Sequence, residues 1–274
     1  MSLPTHAVHR LRAARLARST KPFLARGGMR AVRCTDCRLP LAHCMCALRP
    51  QVPTHCGMCL IMADIEPLKP TNTGWLIADV VADTFAFGWM RTGVDPALLA
   101  LLADPQWQPY VVFPGEFVDS TRVLHTLLQT HGDVHGDLQG DVRDGACKAA
   151  PPSPLAAGTA PKRPLFILLD ATWPEARKMF RKSPYLNAFP VLSLQSEQLS
   201  RYRLRRSTRE DHFCTCEVAA LCLQLASETW AAHTLEAYLD VFTTRYLRAR
   251  QQLPLDADDA PHRQLRALAF TAAK

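Results

Sequence analysis

An apolar run that passes directly into a carboxylate, a turn and a basic helix constrains this chain more than any other feature. Residues 165–180 read Leu-Phe-Ile-Leu-Leu-Asp-Ala-Thr-Trp-Pro-Glu-Ala-Arg-Lys-Met-Phe. Leu165 to Leu169 follow Pro164 and precede a polar turn. An apolar run so bounded predicts a strand buried on both faces, as in a parallel sheet. Thr172 predicts an N-cap, and Pro174 stands near the first helical position. Glu175 falls in the first turn, and Arg177, Lys178, Arg181 and Lys182 follow. Strand, turn and helix in this order form the unit of an α/β fold, whose ligands bind at the carboxyl ends of the strands. Asp170 stands at such an end. It is either a ligand-edge carboxylate or a group that helps to cap the helix, and this pattern leaves both open.

With 274 residues the chain can build one large domain with a small appendage, or two domains. No apolar run is long enough to span a bilayer, and the first residues lack the apolar segment of a secretory signal. No membrane partner and a cytoplasmic location are therefore expected. The net charge of +7 is unevenly placed. Eight of the 32 basic residues fall within residues 1–35, which hold no acid, leaving 24 basic against 25 acidic residues elsewhere. Residues 1–33 thus form a basic arm, with Arg26, Arg30 and Arg33 nearest the next feature. Such an arm suits a phosphate backbone, with salt-dependent affinity. A solubility tail is the plainer alternative. The Arg-rich start also has the look of a transit peptide, but Ser is scarce and cysteines follow at once.

Six of the ten cysteines lie between residues 34 and 59. Without a secretory signal this favours reduced thiols and a metal over disulfides. Cys34-Thr-Asp-Cys37 and Cys44-Met-Cys46 supply four thiolates across a short loop containing Pro40. Four thiolates close a tetrahedral zinc site and leave no open position, so a structural Zn2+ is expected on Cys34, Cys37, Cys44 and Cys46, in a small knuckle over residues 34–55. Cys56 and Cys59 form a second CxxC, but Cys59-Leu-Ile-Met reads as a strand in which cysteine is a small apolar residue. His43 and His55 are set aside as ligands.

A strand is predicted over residues 57–63, then a loop with two prolines ending Thr-Asn-Thr-Gly, then a helix through Leu76, Val80 and Val81. Thr73 and Gly74 open that helix, where backbone donors can meet an anion. Tyr110–Phe113 predicts a strand that ends in the loop Pro114-Gly115-Glu116, and a helix is predicted over residues 121–129. Residues 131–163 are Gly-, Ala- and Pro-rich and read as a flexible insertion. The pattern then predicts a strand over 189–194, a cluster of arginines from Arg201 to Arg209, helices over 215–226 and 235–250, and a loosely ordered tail over 255–274.

Taken in order, CxxC…CxC, Thr-Asn-Thr-Gly, Phe-Pro-Gly-Glu, Asp-Ala-Thr-Trp with Ala-Arg-Lys-Met, and Tyr-Arg-Leu-Arg before Thr-Cys-Glu-Val-Ala resemble the DTW-domain family, the tRNA-uridine aminocarboxypropyltransferases. The likeness spans about residues 34–250 apart from the insertion. It departs at Phe213-Cys-Thr-Cys-Glu217, where the family has a Leu-Ser-Thr-Leu-Glu-like stretch; Thr215 and Glu217 are kept. The resemblance implies a SPOUT-like α/β fold, mainly a parallel sheet flanked by helices with a C-terminal trefoil knot, in a catalytic domain over residues 56–254. It implies S-adenosylmethionine (SAM) as co-substrate, transfer of its 3-amino-3-carboxypropyl group to N3 of a tRNA uridine, and release of methylthioadenosine. Carried over motif by motif, Asp170 becomes the base or the group orienting the uridine, or else a ligand of SAM's ammonium. Thr73, Gly74, Pro114, Gly115, Glu116, Thr172, Leu204, Arg205, Thr215 and Glu217 become the SAM contacts. Arg26, Arg30, Arg33, Trp173, Arg177 and Lys178 become RNA contacts, with Trp173 either stacking on a base or only packing, and a monomer is slightly favoured. A SPOUT-type RNA methyltransferase and a non-catalytic zinc-knuckle RNA-binding protein are the competing readings.

Overall fold

The computed structural model describes residues 6–21, 23, 31–128, 161–194 and 213–271. Six strands form one sheet: β1 (Gly57–Met62), β2 (Thr84–Gly88), β3 (Trp107–Val112), β4 (Val123–Leu124), β5 (Arg163–Asp170) and β6 (Val191–Leu192). Their order is β2-β1-β5-β3-β6-β4, and every neighbouring pair is parallel. Parallel neighbours need crossovers, which here carry α2 (Gly74–Val80) and α3 (Pro96–Ala103). After β5 come α4 (Trp173–Arg181), α5 (Thr215–Leu225) and α6 (Thr229–Arg250). Among the described residues, no helix is long and apolar enough to cross a membrane.

The apolar strands read as they do because both faces of the sheet are covered. Every residue of β1 is buried. Met58, Leu60, Met62, Phe166 and Leu168 turn to one side, with α2, α5 and α6. Cys59, Ile61, Leu165 and Ile167 turn to the other, with α3 and α4. The alternation is the strand's period of two, seen from both sides. Cys56 and Cys59 are fully buried, and Cys59 packs among apolar side chains. Gly57 is required where β1 passes Trp107: a Cβ there would lie 2.8 Å from the indole ring.

The structure differs from several sequence expectations. No helix forms over the described part of 121–129; a 3-10 turn, Ser120–Arg122, leads into β4, whose backbone pairs with β6. The insertion's last residues belong to the fold: Arg163 begins β5, and its guanidinium bonds Asp83. Residues 129–160 lie outside the described ones. The tail is not loose throughout. It carries α7 (Ala260–Thr271), packed on α6, with His262 and Leu265 buried. His262 links Asp259 (2.5 Å) to Arg245 of α6 (2.8 Å), a polar seam that hydropathy does not reveal. The basic arm contains α1 (Ala7–Ala17), which packs against β2 and buries Val8. Its charges are partly spent inside the molecule, since Arg15 pairs with Asp64 at 2.8 Å and Arg12 donates to the Thr35 carbonyl. The path of residues 195–212, on which the expected C-terminal knot depends, lies outside the described residues.

Candidate active site and metal centre

Asp170 ends β5 beside Met62, the last residue of β1, and its carbonyl accepts from Ala63 N–H at 3.0 Å. Its side chain shares a face with Phe166 and Leu168, because residues two apart on a strand point the same way. That is the α2 and α5 side of the sheet. Helix α4 packs on the opposite face, so Asp170 does not cap it. Glu175 performs that role, accepting from the Thr172 N–H at 3.1 Å. Thr172, expected at the cofactor, is exposed, and its hydroxyl donates to the Glu175 carboxylate at 2.6 Å.

Asp170 is 1 % exposed. Its Oδ1 accepts from the Thr215 hydroxyl at 2.7 Å, and its Oδ2 accepts from Asn72 Nδ2 at 2.7 Å. Thr215 opens α5 and Asn72 lies just before α2, so residues far apart in sequence meet on one carboxylate. Gly74 completes the approach: a Cβ there would lie 2.6 Å from Asp170 Oδ2, so any larger residue must displace the carboxylate. The N-termini of α2 and α5 are tied together as well, with Cys216 N–H donating to the Thr73 hydroxyl at 3.3 Å. Glu217 caps its own helix by accepting from Cys214 N–H at 2.7 Å. The structure therefore brings Thr73, Gly74, Thr215 and Glu217 to the neighbourhood of Asp170.

Pro114, Gly115 and Glu116 lie at the same edge of the sheet, after β3, the strand beside β5. Gly115 N–H donates to the Ser193 hydroxyl at 2.9 Å, which joins this loop to the end of β6. Leu204 and Arg205 lie outside the described residues, as do Arg26 and Arg30.

Trp173 stands only three residues from Asp170 but belongs to the other face of the sheet. It stacks on Phe113 with ring centres 5.5 Å apart and meets the edge of Phe117. Phe113 stacks in turn on Phe180 at 4.3 Å. The guanidinium of Arg177 lies 4.7 Å above the Phe117 ring. Arg177, Lys178, Arg181 and Lys182 line the solvent side of α4. Phe117 is 38 % exposed, so this aromatic group presents an edge to solvent beside a row of cations.

Some members of the buried network were not singled out from sequence. Asn72 is fully buried, and its Oδ1 has no hydrogen-bond partner among the described residues. Glu66, also fully buried, pairs with Lys69 and lies 3.5 Å from Asn72 Nδ2. Arg38, 2 % exposed, donates to the carbonyls of Pro67, Lys69 and Asn72. Burial pushes the Arg38 guanidinium down to about 9, so it stays charged at neutral pH. Asn72 was visible inside Thr-Asn-Thr-Gly; no local signal marks Arg38, whose partners lie some thirty positions away.

The four expected metal ligands do converge. The Sγ atoms of Cys34, Cys37, Cys44 and Cys46 all lie within 4.8 Å of one another. Cys34 to Cys46 is 3.6 Å and Cys37 to Cys44 is 3.7 Å. A tetrahedron with Zn–S bonds of about 2.3 Å has edges of about 3.8 Å, so the donor set fits zinc in both chemistry and spacing. Burial pushes the Cys37 thiol up to about 12 and raises Cys46 as well. Burial, the largest single cause, would raise Cys34, but hydrogen bonds from the backbone N–H groups of Cys37 and Asp36 and from the Cys46 and Cys44 side chains together bring the net shift downward. Metal uptake by such thiols displaces protons, so acid weakens it. Arg33, expected on RNA, is built into this knuckle, where its Nη1 donates to the Arg38 carbonyl at 2.9 Å. The knuckle is also seated from behind: Arg245 donates to the Cys44 carbonyl, and His43 Nε2 lies 3.0 Å from the Leu253 carbonyl.

These separate motifs occur together in one known family. The family model of the DTW domain matches residues 31–247, from the knuckle to most of α6. No solved structure matches the chain. The match is consistent with a tRNA-modifying enzyme, and four cysteines are placed to hold a zinc ion. Since the matched segment spans most of the 274 residues, the chain belongs to the DTW-domain family.

Proposed function

We propose that this protein transfers the 3-amino-3-carboxypropyl group of SAM to N3 of a uridine in tRNA, releasing methylthioadenosine. One observation carries the reading: Asp170 of the Asp-Ala-Thr-Trp motif, Asn72 and Gly74 of the Thr-Asn-Thr-Gly motif and Thr215 of α5 meet at the ligand edge of a parallel sheet. SAM supplies a carbon already activated by its sulfonium. In the transfer, N3 bonds to that carbon, the carbon–sulfur bond breaks with its electron pair going to sulfur, and the N3 proton goes to an acceptor. The chain's task is alignment and proton removal, and alignment alone can supply much of the rate.

Thr73, Gly74, Thr215 and Glu217, with the loop Pro114–Glu116 and with Leu204 and Arg205, are the residues proposed to hold SAM in a SPOUT-like, C-terminally knotted fold. Asp170 has two roles open to it. Its Oδ1 accepts from Thr215 and its Oδ2 from Asn72. A buried carboxylate beside Asn72 Oδ1, which has no partner among the described residues, makes a pair of acceptors. That pairing suits SAM's ammonium better than a base that must reach a uridine from solvent, so the ammonium role is the one proposed. On the other face, the exposed Phe117 ring with Arg177 and Lys178 is the proposed RNA contact, through stacking and phosphate charge.

Mass spectrometry of tRNA nucleosides after incubation with SAM and the protein tests the proposal. Aminocarboxypropyluridine with methylthioadenosine supports it. A methylated nucleoside with S-adenosylhomocysteine would make the protein a methyltransferase, and RNA binding without either product would leave a binding protein.

A further inference from the structure

The knuckle and the Asp170 network share one side chain. Arg38 follows Cys37 directly and has φ 63°, the left-handed region that a long side chain rarely adopts. Tertiary contacts, not local preference, hold it there. Its side chain leaves the knuckle and enters the loop between β1 and α2. Nη1 donates to the carbonyls of Pro67 at 3.1 Å and Lys69 at 3.0 Å, and Nη2 donates to the carbonyl of Asn72 at 3.3 Å. The guanidinium lies 5.0 Å from the Trp75 ring centre.

Carbonyl groups gathered around one buried point repel each other unless a donor stands among them. The loop is short of donors of its own, because Pro67 and Pro70 have no N–H. A planar guanidinium with several donors can serve all of these carbonyls and still lie against an indole; an ammonium cannot match that geometry. The consequence falls on Asn72, which is held at both ends. Its carbonyl accepts from Arg38 at 3.3 Å, and its Nδ2 donates to Asp170 at 2.7 Å. Thr73 and Gly74, the next residues, carry the contacts to α5 and to Asp170.

We propose that Arg38 is a positioning residue that sets the loop over residues 66–73 so that Asn72 meets Asp170, which makes the four-cysteine knuckle a structural wall of that site. The functional consequence, weaker SAM binding when Arg38 is lost, rests on the reading of the Asp170 site given above. The positional claim itself does not.

The test uses the full-length zinc-loaded protein, with Arg38→Gln and Arg38→Lys. Three quantities are read: zinc per chain, the Asn72 side-chain amide signals in 1H–15N spectra (assigned by their loss in Asn72→Ala), and SAM affinity by calorimetry. In Arg38→Gln, zinc should stay at about one per chain. The Asn72 amide should shift and exchange faster with solvent, and SAM should bind about tenfold more weakly, the scale of losing one charged hydrogen-bonding group. Arg38→Lys should show smaller changes of the same kind. Asn72 amide signals unchanged in position and exchange in Arg38→Gln would overturn the proposal. If that variant does not fold, unchanged signals in Arg38→Lys overturn it equally. If the unaltered protein fails to bind SAM, the functional reading falls, and the Asn72 signals still decide the role of Arg38.

Discussion

Asp170 and Trp173 stand three residues apart, yet they face opposite sides of one sheet and live in different surroundings. Asp170 is sealed under α2 and α5 with both carboxylate oxygens hydrogen-bonded. Trp173 stacks in an aromatic group that reaches solvent through Phe117 beside the cations of α4. The strand's alternation points one side chain inward, and the capped start of α4 turns the other outward. The comparison teaches that a motif which looks like one unit in sequence serves two surfaces. One is a buried polar hub, proposed above for a small ligand, and the other is an aromatic and cationic surface, proposed for RNA. If so, damage to the two faces should separate in the assays.

The largest effect is expected from the knuckle, which underlies the Asp170 face. Cys34→Ser with Cys37→Ser should take zinc from about one per chain to none and lower the melting temperature by roughly 10 °C or more. Unchanged zinc by elemental analysis would mean that these thiols are not the ligands.

Next comes Asp170→Asn. It removes the charge and forces one of the two hydrogen-bonded positions to change partner, since an amide has only one oxygen. Turnover should fall on the order of 10²-fold or more. With the ammonium role, SAM affinity falls alongside and raising the pH restores little. Partial rescue at higher pH with SAM affinity intact would instead identify Asp170 as the base.

Gly74→Ala is a milder way to disturb the same face. Its Cβ would lie 2.6 Å from Asp170 Oδ2, so the carboxylate must move. A cost of about 1–3 kcal/mol in unfolding free energy is expected, with weaker SAM binding and RNA affinity little changed. Denaturant unfolding and calorimetry check this; an RNA defect equal to the SAM defect would erase the distinction between the faces.

The smallest effect belongs to the outer face. Arg177→Ala with Lys178→Ala should weaken tRNA binding a few-fold and flatten its salt dependence by about two units of logarithmic slope. SAM affinity and melting temperature should hold. Equal salt slopes for the two proteins would remove α4 from the RNA surface.

Much of this architecture is legible in the chain alone, and the reasons are local. The strand over 165–169 is visible because burial on both faces makes an unbroken apolar run, and β5 adds only its flanking residues. The helix start at Thr172, Pro174 and Glu175 is visible because orphan N–H groups need caps within one turn. The set of four thiolates is visible because a zinc site brings its own short spacing. The strand β2 and the helices α1, α3 and α7 went unread. Thr84–Gly88 is an edge strand of mixed burial, and Pro96–Ala103 is almost uniformly apolar and shows no face. The helix α7 depends on His262 and Arg245, a buried polar seam without a hydrophobic signature.

What the sequence by itself determined is therefore the set of local units: a parallel-sheet strand ending in a carboxylate, a capped basic helix, a four-thiolate knuckle and the family to which their order belongs. Tertiary structure alone decided which of these units touch. It turned Asp170 away from the helix that follows it and toward Asn72 and Thr215, placed 98 and 45 positions away. It also sent Arg38 from the metal knuckle into the loop that holds Asn72. The physical reason is range. Caps, pleats and ligand spacings act over a few residues and leave a mark at that spacing. A hydrogen bond across the core is set by how whole helices and strands pack, and its partners carry no sign of each other along the chain.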